Sequence, residues 1–178
     1  MNSLAEILLA VDAALEKAGF PHAFGGAIAL AYCTQEPRGT RDIDVNIFMP
    51  ASRADEALDV MPPGVTITDA NRATARRDGQ VRVMWGETPI DLFFDTNEFH
   101  RETAEGVLRV PFEGTIIPVL GCESLIVFKA MFNRPRDWAD IGDILEAGVS
   151  DAGRALDRLR LLLGETDQAV ARLASLIA

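Results

Sequence analysis

The sequence is poor in the side chains that build transition-metal clusters, because it holds two cysteines and two histidines in 178 residues. Cys33 and Cys122 do not have the close pair spacing of a zinc site. The two could form one disulfide, but we expect reduced thiols in the core. His22 and His100 are isolated from any partner at metal or nucleophile spacing, so we assign them no role.

Lysine is also scarce, with only Lys17 and Lys129, and the formal net charge is -10 at pH 7. A broad nucleic-acid-binding face requires a basic surface, so this balance disfavours one. Nucleic acid would be a partner only through a local basic groove. A cationic or small-molecule partner fits an acidic chain better.

The chain has no long uninterrupted hydrophobic run. Its first segment carries Glu6 and Asp12 inside an apolar pattern with helical spacing, and Gly19 suits the end of that helix. Such a segment is an amphipathic helix rather than a signal sequence or a membrane span. We therefore expect no membrane partner and a cytoplasmic location.

What the chain does contain is a globular composition, 48% hydrophobic and 25% charged. Strand and helix patterns alternate over residues 1–120, and the pattern is helical over 121–178. This predicts an α+β fold in which a small mixed β-sheet is flanked by helices and followed by a C-terminal helical bundle on the same core. Ser52 is a plausible helix N-cap, and residues 62–79 look irregular with one short strand.

Acidic residues interrupt two of the predicted strands. In "DIDVNIF", Asp42 and Asp44 share one face, because side chains alternate along a strand. In "TPIDLFFD", Asp91 lies opposite the apolar face. If the two strands are neighbours, three carboxylates gather and repel one another unless a cation is bound. Ligands that are all oxygen favour Mg²⁺.

A simpler interpretation of the acids stays open. Alternating acids are common on solvated strand faces, and Asp42 could pair with Arg41 or Arg38. Asp95 and Glu98 are interpreted as surface or capping acids. Four arginines lie before and on the predicted strand "QVRVMWG"; they are Arg72, Arg76, Arg77 and Arg82. They could meet an acidic partner or an acceptor phosphate, but a solvated loop is the favoured interpretation.

Gly25 and Gly26 lie between a short strand and a helix. Glycine lets the backbone approach a ligand closely, and a helix N-terminus binds phosphate. The alternative is a tight turn with no ligand. The pattern is not the dinucleotide fingerprint, because no third glycine follows at the required spacing. It is not a P-loop either, because the chain has no Gly-Lys-Ser/Thr.

Together, the glycines and acids in "GGAIALAY…EPRGTRDIDV" resemble the minimal DNA-polymerase-β-like nucleotidyltransferases. The motif falls on Gly25, Gly26, Asp42, Asp44 and Asp91. The stretch "PRGTRDIDV" is most similar to abortive-infection type toxins of toxin–antitoxin pairs, and also to small antibiotic-modifying nucleotidyltransferases. The resemblance implies a nucleotidyltransferase fold and transfer of a nucleotidyl group from a nucleoside triphosphate to an unknown acceptor hydroxyl.

The same resemblance assigns site residues and partners. Asp42, Asp44 and Asp91 would be catalytic and would hold Mg²⁺. Gly25, Gly26, Thr40, Arg41 and Lys129 would bind the nucleotide, and Asp137 or Asp140 would support Lys129. A cognate antitoxin is a possible partner. The alternatives are a structural lysine with a capping acid, and a non-catalytic binding module on the same fold.

Overall fold

The structure, a computed structural model, describes residues 2–178. The strands are β1 (His22–Phe24), β2 (Ile43–Pro50), β3 (Val65–Thr66), β4 (Gln80–Trp85), β5 (Thr88–Asp95), β6 (Leu108–Phe112) and β7 (Thr115–Val119). The helices are α1 (Leu4–Lys17), α2 (Gly26–Thr34), α3 (Ala54–Asp59), α4 (Asp69–Asp78), α5 (Glu98–Thr103), α6 (Cys122–Phe132), α7 (Pro135–Ala147), α8 (Ala152–Leu163) and α9 (Gln168–Ile177). Short 3-10 turns occupy Ala51–Arg53 and Ala104–Gly106.

The strands form one mixed sheet in the order β3-β4-β5-β2-β1-β7-β6. Strand β2 runs parallel to β5 and antiparallel to β1, and β4 runs antiparallel to β5. Helices follow the last strand to the end of the chain. The predicted α+β class with a mixed sheet and a helical C-terminal part is confirmed. No helix in the described part is long and apolar enough to cross a membrane.

The two central strands separate core from cleft by strict alternation. On β2, Ile43, Val45 and Ile47 are fully buried, and on β5 Ile90 and Leu92 are too. Burial of such side chains is the main favourable term in folding, at about 1.5–3 kcal/mol each. The opposite face carries Asp44 and Asn46 of β2 and Asp91 of β5, together with Phe48 and Phe93, so the predicted faces are confirmed.

Two helices differ from the sequence prediction. Residues 62–79 contain α4, which begins at a Thr68–Asn71 capping box and ends at Gly79 with φ +67°. This helix buries only Ala75, so it has no apolar stripe from which it could be recognised. Ser52 is not an N-cap, because it lies within a 3-10 turn and α3 begins at Ala54.

The C-terminal helices and the sheet share one hydrophobic core. Leu125 and Ile126 of α6 and Trp138 and Ile141 of α7 are buried in the same cluster as the β2 and β5 side chains. The predicted boundary after residue 120 coincides with the change from sheet to helices, but the division into two units stays a prediction.

Cys33 and Cys122 form a disulfide, which corrects the expectation of two reduced thiols. Cys33 lies in α2 and Cys122 is the first residue of α6. Packing of α2 against α6 brings the two residues together across 89 positions of sequence. Disulfides are rare in the reducing cytosol, and the cytoplasmic location stays a prediction.

Removing this disulfide should destabilise the protein. Closing a loop of this length lowers the entropy of the unfolded chain, which is worth roughly 4–5 kcal/mol in the chain-entropy account. We expect the Cys33→Ala/Cys122→Ala variant to lose about 2–5 kcal/mol in urea unfolding. Reductant should destabilise the wild type equally and leave the variant unchanged. A wild-type midpoint that is insensitive to reductant would contradict the bond.

Candidate functional site

The paired glycines fit against the first acidic strand. Gly25 is the N-cap of α2, and its N–H donates to the backbone carbonyl of Asp44 at 2.9 Å. Gly26 has φ +50°, and a Cβ added there would overlap the Asp44 carboxylate. A Cβ at Gly25 would come within 2.9 Å of Asn46 Nδ2. Both positions therefore need glycine to let α2 begin beside Asp44.

Two of the predicted carboxylates are direct neighbours across the sheet. Asp44 on β2 and Asp91 on β5 are register partners in the parallel pair. Asp42 lies one residue before β2, which begins at Ile43 rather than at the predicted Asp42. All three residues line one cleft. The structure thus brings the predicted acids together on one face.

Burial and the neighbouring acids raise the pKa of Asp44. The pKa of Asp44 rises from 3.8 to about 6, first because the group is buried and then because Asp42 and Asp91 repel its charge. Lys129 and Arg134 oppose the rise. A carboxyl with this pKa is half protonated near pH 6 when no added cation is present.

Arg82 supplies the nearest positive charge. It is the register partner of Asp91 across the antiparallel β4–β5 pair. Its Nε and Nη2 donate to the two Asp91 oxygens at 2.7 and 2.5 Å, and Nη2 lies 4.0 Å from Asp42 Oδ2. The favoured interpretation of Arg82 as part of a solvated loop is therefore wrong, and the alternative of an acidic partner is the one observed. The other three arginines of that group lie on α4, where Arg72 and Arg76 pair with Asp55.

The donor set at this point suits a hard cation, since it offers carboxylate oxygens alone. In the observed side-chain positions, residues 2–178 contain no group of three acidic, histidine or cysteine side chains arranged to hold a metal ion. Both Asp91 oxygens accept from Arg82. That Asp42, Asp44 and Asp91 hold Mg²⁺ stays a prediction.

The loop before β2 orients the first acid. Thr40 Oγ1 donates to Asp42 Oδ1 at 2.6 Å and fixes that carboxylate at the cleft. Arg41 is exposed on the cleft wall. Asp42 pairs with neither Arg41 nor Arg38, because Arg82 is the arginine within 4.0 Å of it and Arg38 turns to Asp140.

A second charged cluster forms the opposite wall of the cleft. Lys129 Nζ on α6 donates to Asp140 Oδ2 at 2.6 Å and lies 3.7 Å from Asp137 Oδ1. Arg38 binds Asp140 through two nitrogens, at 2.5 and 3.2 Å. Arg134 binds Asp137 at 2.7 and 3.1 Å. Two buried acids thus hold three cations at the cleft.

Asp137 and Asp140 of α7 have different partners, the helix N-terminus for the first and Lys129 for the second. Asp137 caps the helix, because its Oδ2 accepts from the backbone N–H of Arg134 at 3.2 Å. Asp140 is the main partner of Lys129. Lys129 is buried and lines the cleft rather than reaching bulk water. Its contact with a nucleotide stays a prediction.

The cleft has a volume of about 1380 Å³ and an apolar arm beyond the charged groups. Phe93 is on the cleft face of β5, and Phe132 is exposed at the end of α6. The two ring centroids are 6.0 Å apart. Leu125 and Phe128 continue the arm along α6. The cleft can therefore accept a ligand that carries both negative charge and an apolar ring.

Sequence reasoning missed three cations of this cleft, Arg38, Arg82 and Arg134. The signal that could have found Arg82 is its place in "QVRVMWG", where it alternates with Val81 and Val83. That alternation puts Arg82 on the same face as Asp91 if the two strands pair. No comparable pattern marks Arg38 or Arg134, which reach α7 acids from loops.

Comparison with known proteins supports the fold through solved structures. No protein-family model matches the chain, and no curated protein matches its sequence. The chain is similar to ANT(2")-Ia in complex with adenylyl-2"-tobramycin, with 14% identity, a TM-score of 0.63 and coverage of 99% of this chain and 100% of that one.

Two further structures agree. For the lincosamide antibiotic adenylyltransferase LnuA with lincomycin bound, identity is 13%, the TM-score 0.54 and coverage 83% of this chain and 99% of that one. For an antigenic nucleotidyltransferase-like protein from Paracoccidioides brasiliensis, identity is 14%, the TM-score is 0.54, and coverage is 96% of this chain and 94% of that one. The chain therefore has the nucleotidyltransferase fold, and the predicted fold class is confirmed.

Replacing Asp44 should stabilise the protein in a pH-dependent way. A folded-state pKa of about 6 against 3.8 means that ionising Asp44 costs the folded state about 3 kcal/mol. The cost is absent below pH 3.8, grows as pH rises and is complete above pH 6. We expect Asp44→Asn in EDTA to gain up to about 3 kcal/mol at pH 7–8 and nothing near pH 3.5. Glu105→Gln, at an exposed carboxylate, is the control, and a gain independent of pH would contradict this account.

A side chain at Gly26 should disturb the Asp44 carboxylate. Gly26→Ala adds a Cβ where that carboxylate lies, at a positive φ, and should cost about 1–3 kcal/mol in thermal or urea unfolding. Gly39→Ala is the matched control, because a Cβ there meets no atom within 4 Å. Equal stability of the two variants would mean that α2 does not depend on this contact.

Proposed function

We propose that the protein is a metal-dependent nucleotidyltransferase that moves a nucleotidyl group from a nucleoside triphosphate to an acceptor hydroxyl and releases pyrophosphate. The observation that carries the proposal is the register pairing of Asp44 with Asp91 beside Gly26, in a chain with the nucleotidyltransferase fold. Fold alone does not establish an activity, so the site residues support the proposal.

We assign each predicted residue a role that its position supports. Gly25 and Gly26 let α2 begin beside Asp44, so that the N–H groups of its first turn can bind a phosphate, and Gly26, Arg41 and Lys129 line the cleft. Thr40 holds Asp42 in place. Asp42, Asp44 and Asp91 would hold Mg²⁺. When bound, Mg²⁺ neutralises charge on the reacting phosphate and on the leaving group.

The chemical step needs a proton acceptor near the acceptor hydroxyl. Asp91 can take that proton, because it lies at the cleft and its side chain is 18% exposed. The hydroxyl oxygen then bonds to the α-phosphorus as the bond from that phosphorus to the bridging oxygen breaks. Pyrophosphate carries away the electron pair, and the nucleotidyl group stays on the acceptor.

A small molecule, in particular an antibiotic, is the acceptor that the charges favour. The chain carries a net charge of -10, and an acidic protein attracts a cationic drug. Two structurally similar proteins are described with adenylyl-2"-tobramycin or lincomycin bound. Four cations of the cleft are matched by aspartates, which leaves less positive charge for nucleic acid; they are Arg38, Arg82, Lys129 and Arg134.

A toxin–antitoxin role is the second candidate, and the stretch "PRGTRDIDV" motivates it. In that setting the acceptor would be a cellular macromolecule and a cognate antitoxin would bind the chain. Labelled triphosphates separate the two candidates. Transfer of label to an aminoglycoside or lincosamide supports drug modification, whereas label on cellular RNA or protein, with growth arrest on expression, supports the toxin role.

Pyrophosphate release tests the catalytic assignment. Asp44→Asn and Asp91→Asn should each lower the rate by at least about 10³-fold, because each removes a carboxylate from the reacting centre. Asp95→Asn is the matched control on the same strand; Asp95 accepts from the backbone N–H of Asn97 and should be dispensable. Wild-type rates in the Asp44 and Asp91 variants would overturn the proposal.

A further inference from the structure

Arg82 stands in line with the two facing carboxylates. Arg82 on β4, Asp91 on β5 and Asp44 on β2 are successive register partners across three neighbouring strands. The guanidinium meets Asp91 through two nitrogens in the fork geometry that arginine offers to a carboxylate. The Arg82 side chain is 57% exposed, whereas that of Asp91 is 18% exposed. The pair therefore lies at the mouth of the cleft.

The Asp91 carboxylate has two competing partners. The proposed function requires it as a ligand with Asp42 and Asp44, and the observed structure gives both its oxygens to Arg82. Arg82 also approaches Asp42 at 4.0 Å, so it neutralises part of the acidic cluster. A divalent cation and the guanidinium cannot both occupy the space between these carboxylates.

We propose that Arg82 is a positioning residue that acts as an internal counter-cation: it holds Asp91 in the free protein and competes with the divalent cation for that carboxylate. This inference rests on the proposed function. Because the pair is partly exposed, its net strength is modest, and Arg82 can be drawn away by a stronger partner. A triphosphate is such a partner, since arginine binds phosphate oxygens through the same fork.

The pairing explains how three acids coexist without a metal. Asp91 accepts from two nitrogens of the Arg82 guanidinium, and the same guanidinium lies 4.0 Å from Asp42. Once Arg82 leaves, the carboxylates gain affinity for a divalent cation because their repulsion is no longer relieved. Arrival of the triphosphate and binding of the cation are thereby coupled, and coupling of two ligands is reciprocal.

The test measures Mn²⁺ binding in the absence of nucleotide, by electron paramagnetic resonance of the free ion. Arg82→Gln removes the charge and keeps most of the side-chain length, and it should tighten Mn²⁺ binding about five- to tenfold. Arg53→Gln removes an equally bidentate pair, with Glu56 on the surface, and makes the same change in net charge. Arg41→Gln removes a charge from the same cleft without a pair to Asp91.

The two controls separate competition from general attraction. If Arg82 competes directly, Arg53→Gln and Arg41→Gln change Mn²⁺ affinity less than twofold. If all three variants bind Mn²⁺ equally, Arg82 acts only as a distant charge and the inference is wrong. The gain should also disappear in Arg82→Gln/Asp91→Asn, because the released ligand is then missing.

Thermal unfolding gives a second readout that is independent of activity. Without divalent cation, Arg82→Gln should melt below the wild type, because the carboxylates lose their counter-cation. Saturating Mg²⁺ should raise its melting temperature more than that of the wild type. Failure of the proposed function is distinct: neither the wild type nor Arg82→Gln would then bind Mn²⁺ in a way that depends on Asp44.

Discussion

The site is organised by the repulsion between carboxylates on neighbouring parallel strands. The register sets Asp44 beside Asp91, and their apolar neighbours Val45 and Leu92 anchor that register in the core. A slip by one residue would turn these apolar side chains to the cleft. The energy of the core thus holds two like charges together, and the charges around the cleft follow from the need to compensate them.

The second charged cluster of the cleft also combines like charges with opposite ones, but there three cations surround two aspartates. There, Asp137 and Asp140 are buried on α7, and cations from three different segments converge on them. Burying a charge without a partner is costly, so these pairs fix the position of α7 against α6 and the loop before β2.

Alternation along the chain was enough to predict the acidic face, because Asp44 and Asp91 each interrupt an apolar strand. It puts Arg82 on the face of Asp91 only if β4 and β5 pair, and the direct contact of the two residues depends on the register set by the turn at Gly86. Helix α4 escaped prediction because its residues are polar on nearly all sides. The Cys33–Cys122 disulfide could not be predicted from a local pattern, because packing of two distant helices brings the cysteines together.

The Cys33–Cys122 disulfide also limits the relative motion of the helices that it joins. It joins the first helix after the glycine turn to the start of the helix that carries Lys129. The bond therefore holds the C-terminal part of α2 against the start of α6, and these two helices cannot separate there. Arg41 and Arg82 are exposed at the cleft, so their side chains can move without any change in this helix packing.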